Sequence, residues 1–199
     1  MEMSGEERIP ASQADTWAAL NDPEMLKACV PGCESVERVG DEEFQVLMVA
    51  RIGPVSAKFK GKLTLSDLKP PDSYALAFEG QGGAAGFGKG SANVQLSPEG
   101  EGTLLRYQVK ASVGGKLAQI GSRLVDAAAR KISQDFFAAF NEKVGALHGA
   151  TAAAADEGEH HPAPLGRDPD LPTVSDASLI FLAAGALVVL AVALYVLLA

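Results

Sequence analysis

The chain has 199 residues, 47% of them hydrophobic, and a formal net charge of −8. Five of those eight negative charges belong to the segment 148–177, which holds six acids and one arginine. Residues 1–147 therefore carry 16 basic and 19 acidic side chains, a net of −3, which argues against nucleic acid as a partner. That length suits one domain with a real core.

The N-terminal segment MEMSGEERIP is acidic and has no apolar h-region, so no signal peptide is expected and the domain is expected in the cytosol. Ser12 is placed to cap a helix through SQADTWAALND, with Asp15 at the capping-box position and Trp17 and Leu20 three residues apart. A short helical turn is expected around Pro23 to Ala28. Cys29 and Cys33 follow in a CVPGC loop. Without histidine or a second cysteine pair they cannot complete a four-ligand zinc site, and a cytosolic setting disfavours a disulfide. They read as small residues beside a turn.

Alternation marks the strands. Phe44, Val46, Met48, Ala50 and Ile52 share one face, and Gly53-Pro54 marks a turn. Val55, Ala57, Phe59, Gly61, Leu63 and Leu65 then face inward, with Lys58, Lys60 and Lys62 outward. That lysine row reads as a solvated face, or as a contact for anionic lipid or an acidic partner. Pro70, Pro71 and Asp72 supply the next turn, followed by Tyr74, Leu76 and Phe78 on one face.

The stretch GQGGAAGFGKGS at 80–91 invites comparison with a phosphate-binding loop. Gly90 stands where that motif needs a magnesium-binding Ser or Thr, and a strand pattern follows instead of a helix, so a nucleotide site is rejected. Glycines in such strands mark bulges or the close approach of a backbone or ligand. Ala92, Val94 and Leu96 resume the alternation, PEGEG turns the chain, and Leu105, Tyr107, Val109, Ala111 and Val113 face inward on the last strand.

One long helix is expected over 116–147, with an apolar stripe of Leu117, Ile120, Leu124, Ala128, Ile132, Phe136, Phe140, Val144 and Leu147. The expected order is a strand, short helices, five or six antiparallel strands and one long helix. Strands with one apolar face, joined by short turns, describe an antiparallel sheet solvated on one side, and the long helix must cover the other. Small inward residues (Ala50, Ala57, Gly61, Ala92, Ala111) suit a hollow between sheet and helix, and equally a sheet bent tightly onto the helix.

Residues 148–177 are rich in Ala, Pro, Gly, Asp and Glu and read as a disordered linker with a reach of about 30 Å. His148, His160 and His161, the only histidines, fall there, and His160 and His161 near Glu157 and Glu159 read as solvated side chains rather than metal ligands. The domain thus lacks the commonest general base, and triads of Ser, His and Asp are unavailable. From Leu179 to Ala199 the sequence is uncharged and apolar, long enough at about 1.5 Å per residue to cross a bilayer core of about 30 Å, so residues 178–199 are expected to form a single C-terminal transmembrane anchor.

The segments CVPGCESVE at 29–37, RIGPVSAKFKGKL at 51–63 and VGGKLAQIGSRLVDAAARKISQDFFAAF at 113–140 resemble the CoxG family, the G subunit of carbon monoxide dehydrogenase, within the START and polyketide-cyclase (SRPBCC) superfamily. The resemblance implies an α+β helix-grip fold, in which a curved antiparallel sheet wraps a long C-terminal helix. It also implies a non-catalytic accessory that recruits a molybdenum hydroxylase of the carbon monoxide dehydrogenase type to the inner face of the cytoplasmic membrane. The implied ligand is a respiratory quinone, menaquinone or ubiquinone, or a similar isoprenoid lipid held in a hydrophobic cavity. The family offers no sharp ligand motif, so the cavity residues come from the inward-facing pattern: Met48, Phe59, Phe78, Phe87, Leu117, Ile120 and Leu124. Two alternatives stay open, a passive anchor with a filled core and a cyclase-like enzyme acting in the same hollow.

Overall fold

The computed structural model describes residues 2–52 and 55–156. Seven strands, β1 (Glu2–Ile9), β2 (Cys33–Arg38), β3 (Glu43–Ile52), β4 (Val55–Lys69), β5 (Ser73–Gln81), β6 (Phe87–Glu99) and β7 (Gly102–Gly114), form one antiparallel sheet in the order β1-β7-β6-β5-β4-β3-β2. Helices α1 (Gln13–Leu20) and α2 (Pro23–Cys29) lie between β1 and β2, and α3 (Lys116–Gln119) and α4 (Ser122–Asp156) follow β7.

The helix starts obey local chemistry. Ser12 caps α1 by accepting from the Asp15 N–H at 3.2 Å, and Asp22 caps α2 through the Glu24 N–H at 2.9 Å, with Pro23 entering the first turn. The strands keep the expected parity: Phe44, Val46, Met48, Phe59, Leu63, Leu65, Tyr74, Leu76, Phe78, Val94, Leu105 and Val109 are all buried. Outside, Lys58 pairs with Glu34 at 2.7 Å and Lys62 with Glu43 at 2.8 Å. Such exposed pairs contribute about 0–1 kcal/mol each, so this is a solvated face, with one pair reaching from β4 across β3 to β2 and the other joining β4 to β3.

Two strands carry little apolar alternation. The inward positions of β1 are Met3, Gly5 and Glu7 before buried Ile9, and β2 has only Val36 fully inside, with its pairing to β3 shifted between Cys33 and Ser35. Both are edge strands, and an edge strand buries fewer side chains. In addition, β6 begins at Phe87, inside the stretch that the composition marks only as glycine-rich.

The predicted helix over 116–147 is broken. Gly121, at φ 92°, separates the four-residue α3 from α4 and resets the helical phase. Val125, Ala129, Ile132, Phe136, Phe140 and Val144 face the sheet, while Leu124 and Leu147 are 53% and 58% exposed. One continuous core joins inward residues of every strand to α1, α2, α3 and α4. The helix passes Leu147, the expected end of the domain, and continues to Asp156. The rest of the expected linker and the anchor at 178–199 lie outside the described residues, among which no helix is long and apolar enough to cross a membrane.

Candidate functional site

Four of the seven expected cavity residues meet on the concave face. Met48 and Phe59 are register partners on β3 and β4, Phe78 projects from β5, and Leu117 comes down from α3. Met48, Phe59 and Leu117 have no accessible surface and Phe78 has 4%, so no water-sized void borders the first three. Ile120 is half-buried against the same core.

The other two do not face inward. Phe87 is 49% exposed because β6 alternates inward from Gly88, which puts position 87 on the outer face, its ring over Gly114. Leu124 is turned out by the phase reset at Gly121.

Beside this aromatic floor the sheet has almost no side chains. Gly61, Gly80 and Gly88 stand in register on β4, β5 and β6, all buried, between Val46 and Val113. Phe59 and Phe78 fill the neighbouring spaces, since a Cβ on Gly82 would fall 1.9 Å from the Phe59 ring and one on Gly90 would fall 2.4 Å from that of Phe78. At this row three adjacent strands contribute main chain alone to the concave face, next to the two rings, and the row itself is buried. Alternation alone identifies Gly61 as inward. Gly80 and Gly88 become legible only once the strands are in register.

The rim is softer than the floor. Ala57, Val113, Ile120 and Ala128 are only partly buried, and a cavity of about 170 Å³ opens between β7 and the α3–α4 junction, lined by Val113, Ala118, Ser122 and Val125 among others. The four residues of α3 hang between two left-handed glycines, Gly115 at φ 78° and Gly121 at φ 92°. Leu117 on this segment closes the floor. Larger hollows of about 730 and 770 Å³ lie on the opposite, solvated face among Lys62, Glu79 and Lys89, so they are open troughs between charged side chains.

The model of the family described as the carbon monoxide dehydrogenase G subunit (CoxG) matches residues 5–145. The chain belongs to this family. A conserved protein of Geobacillus kaustophilus, solved by crystallography, is similar at 31% identity and TM-score 0.68, over 72% of this chain and 95% of that one. A protein of Thermus thermophilus (20% identity, TM-score 0.56, 74% and 99% covered) and Ara h 8.0201 (17% identity, TM-score 0.52, 72% and 97% covered) share the fold alone. No protein of curated function matches the chain.

The polar groups inside this CoxG-family domain are few. The Tyr107 hydroxyl and Ser133 Oγ are 3.0 Å apart, and Tyr107 stacks on Phe137 with centroids separated by 5.6 Å. Gly5 makes room for that phenol, since a Cβ there would lie 2.4 Å from the hydroxyl. Burial raises the Tyr107 pKa, and burial raises that of Glu7 on the edge strand nearby. Tyr74 packs edge-on against Trp17, and its fully buried hydroxyl has no hydrogen-bond partner among the described residues. The two tyrosines should respond differently to loss of the hydroxyl. Tyr107→Phe strands buried Ser133 and is expected to cost about 1–2 kcal/mol in urea unfolding, while Tyr74→Phe is expected to be neutral or to stabilise by up to about 1 kcal/mol.

Burial pushes the thiols of Cys29 and Cys33 up to about 11, so both stay protonated at neutral pH and neither is poised as a nucleophile. Among the described residues no group of three metal-ligating side chains converges. What the arrangement offers is a closed apolar floor beside a small cavity at the α3–α4 junction.

Proposed function

We propose that this CoxG-family domain is a non-catalytic accessory of a carbon monoxide dehydrogenase-type molybdenum hydroxylase. In this reading it binds the isoprenoid part of a respiratory quinone, menaquinone or ubiquinone, and presents the quinone to that enzyme. The association with carbon monoxide dehydrogenase follows from the family's description over residues 5–145. The observation that favours a lipid ligand is the row Gly61–Gly80–Gly88, three buried register partners without side chains beside the apolar floor: a polyisoprenoid can approach main chain only where no side chain stands. Binding energy would come from buried apolar area, at about 25 cal/mol per Å² before ordering costs. Residues 178–199 would hold the domain at the inner face of the cytoplasmic membrane, where the quinone is dissolved.

The test is to isolate the full-length chain from bacterial membranes in mild detergent and identify bound lipids by mass spectrometry. Quinone should be retained, and Gly80→Leu, which places a side chain on the bare row, should release it while the circular dichroism of the domain persists. A folded chain that retains no quinone and does not stimulate quinone reduction by the partner enzyme would overturn the reading. The closed floor at Met48, Phe59 and Leu117 favours a second reading, a passive anchor that only docks the enzyme. Under that reading Phe59→Asp impairs function only as far as it unfolds the domain.

A further inference from the structure

Charge is sorted along the strand axis. At one end of the sheet lie the meeting of β3 with β4, the turn from β5 to β6, and the path from β7 through α3 into α4. The segments 47–60, 81–87 and 114–124 at this end contain five basic residues, Arg51, Lys58, Lys60, Lys116 and Arg123, and no acid, while two acids, Glu34 at the start of β2 and Asp126 beside the cavity, border them. At the other end the β2–β3, β4–β5 and β6–β7 turns with their flanks, 38–44, 66–74 and 98–103, contain seven acids and two bases. A domain whose net charge is negative thus presents one cationic pole.

That pole also carries apolar side chains. Phe87 on the outer face of β6 and Leu124 on α4, 49% and 53% exposed, both lie there, and the cavity beside Val113 and Ala118 opens there; of the other exposed large hydrophobics, Val39 stands at the acidic end and Leu147 late on α4. Of the basic residues, Lys58 is held by Glu34, whereas Lys60, Lys116 and Arg123 are exposed and make no ion pair among the described residues. Exposed apolar side chains ringed by free cations match an anionic bilayer interface, which takes the former among its acyl chains and the latter among its headgroups.

We propose that this pole is the surface on which the domain docks to an anionic lipid bilayer, with Phe87 and Leu124 entering the interface and Lys60, Lys116 and Arg123 contacting lipid phosphates. Chain length permits it. From Ser122 to Asp156, α4 carries the chain about 50 Å away from the pole, and residues 157–177 can extend to about 70 Å before the expected anchor. The docking goes beyond the quinone reading and does not depend on it: quinone retention can fail while insertion persists, and the reverse.

The full-length chain is reconstituted into vesicles of phosphatidylcholine alone, or with about one-third phosphatidylglycerol. A nitroxide is attached at Phe87→Cys, at Leu124→Cys, or at Val39→Cys in the acidic β2–β3 turn, and labelling of the unsubstituted chain sets the background from Cys29 and Cys33. With phosphatidylglycerol, the labels at 87 and 124 should become accessible to oxygen and shielded from an aqueous nickel chelate, while the label at 39 stays in water. Replacing Lys60, Lys116 and Arg123 together by Gln should lower the inserted fraction at least about tenfold, since each charge contributes roughly a fivefold factor. The proposal is overturned if the label at 87 stays in water on anionic vesicles. It is overturned equally if insertion is the same on neutral vesicles, or if shielding needs the partner enzyme instead of lipid.

Discussion

Phe136→Ala is expected to destabilise the domain by about 3–5 kcal/mol, the range for emptying a large aromatic from a core. Phe136 has no accessible surface, stacks on Phe140 with ring centroids 5.6 Å apart, and meets Phe137 edge-on at 5.3 Å. The aromatic contacts add about 0.5–1.5 kcal/mol beyond area burial. For a domain with about 5–15 kcal/mol in total, the loss is about a fifth or more of its stability. Urea unfolding followed by fluorescence of Trp17, the sole tryptophan, should give a lower midpoint with an unchanged slope. Leu124→Ala belongs to the same stripe when the sequence is read as one unbroken helix, yet it should change stability by less than about 0.5 kcal/mol. Equal losses at the two positions would contradict the phase reset at Gly121.

Gly86→Ala is expected to be nearly as damaging although it adds a single methyl. Gly86 has φ 122° and ψ −155°, a region essentially reserved for glycine, at about 1–3 kcal/mol for any other residue. Its new Cβ would also fall 2.0 Å from the carbonyl oxygen of Gly114, and backbone cannot give way as a flexible side chain does. Overpacking of this kind adds about 1–3 kcal/mol. Gly115 approaches from the other side, where a Cβ would stand 2.6 Å from the Gly86 Cα. Main chain therefore rests on main chain where the β5–β6 turn meets α3, and the methyl should push α3 off its seat. Trypsin cleavage at Lys116 should accelerate together with the loss of stability. Gly83→Ala is the control: φ is 59° but nothing lies within 4 Å, so only the backbone term of about 1 kcal/mol remains.

Much of the domain is legible in the sequence because its strands alternate cleanly and its helix starts carry their own caps. Lys58, Lys60 and Lys62 set against Ala57, Phe59 and Gly61 leave no doubt which face of β4 is wet. Legibility fails where tertiary pairing replaces side-chain pattern. A strand is expected ahead of the short helices, but β1 offers only Met3, Gly5 and Glu7 as inward positions before Ile9, so its bounds and place in the sheet come from pairing with β7. Likewise the stripe through Leu117, Ile120 and Leu124 runs smoothly across Gly121, because periodicity is blind to one left-handed residue. Phe87 shows the same limit, since an aromatic among glycines invites an inward placement that strand parity forbids. At the candidate site, Met48, Phe59, Phe78, Leu117 and Ile120 follow from pattern, whereas the glycine row is a property of three strands in register.

The edges of this open sheet bear on how many copies a surface can carry. Tethered proteins share a plane, which raises their mutual concentration, and an unpaired strand edge is a template for joining a neighbour. Here one free edge is β2, six residues long, bulged between Cys33 and Ser35, with Glu34, Glu37 and Arg38 exposed along it. The other is β1, where Glu2 and Glu6 face solvent. Both edges thus carry charged side chains, with Glu2 and Glu6 held by Lys110 and Arg106 of β7, and charge along an edge disfavours a second copy adding its own strand. On the membrane proposed above, crowding would therefore leave the sheets separate.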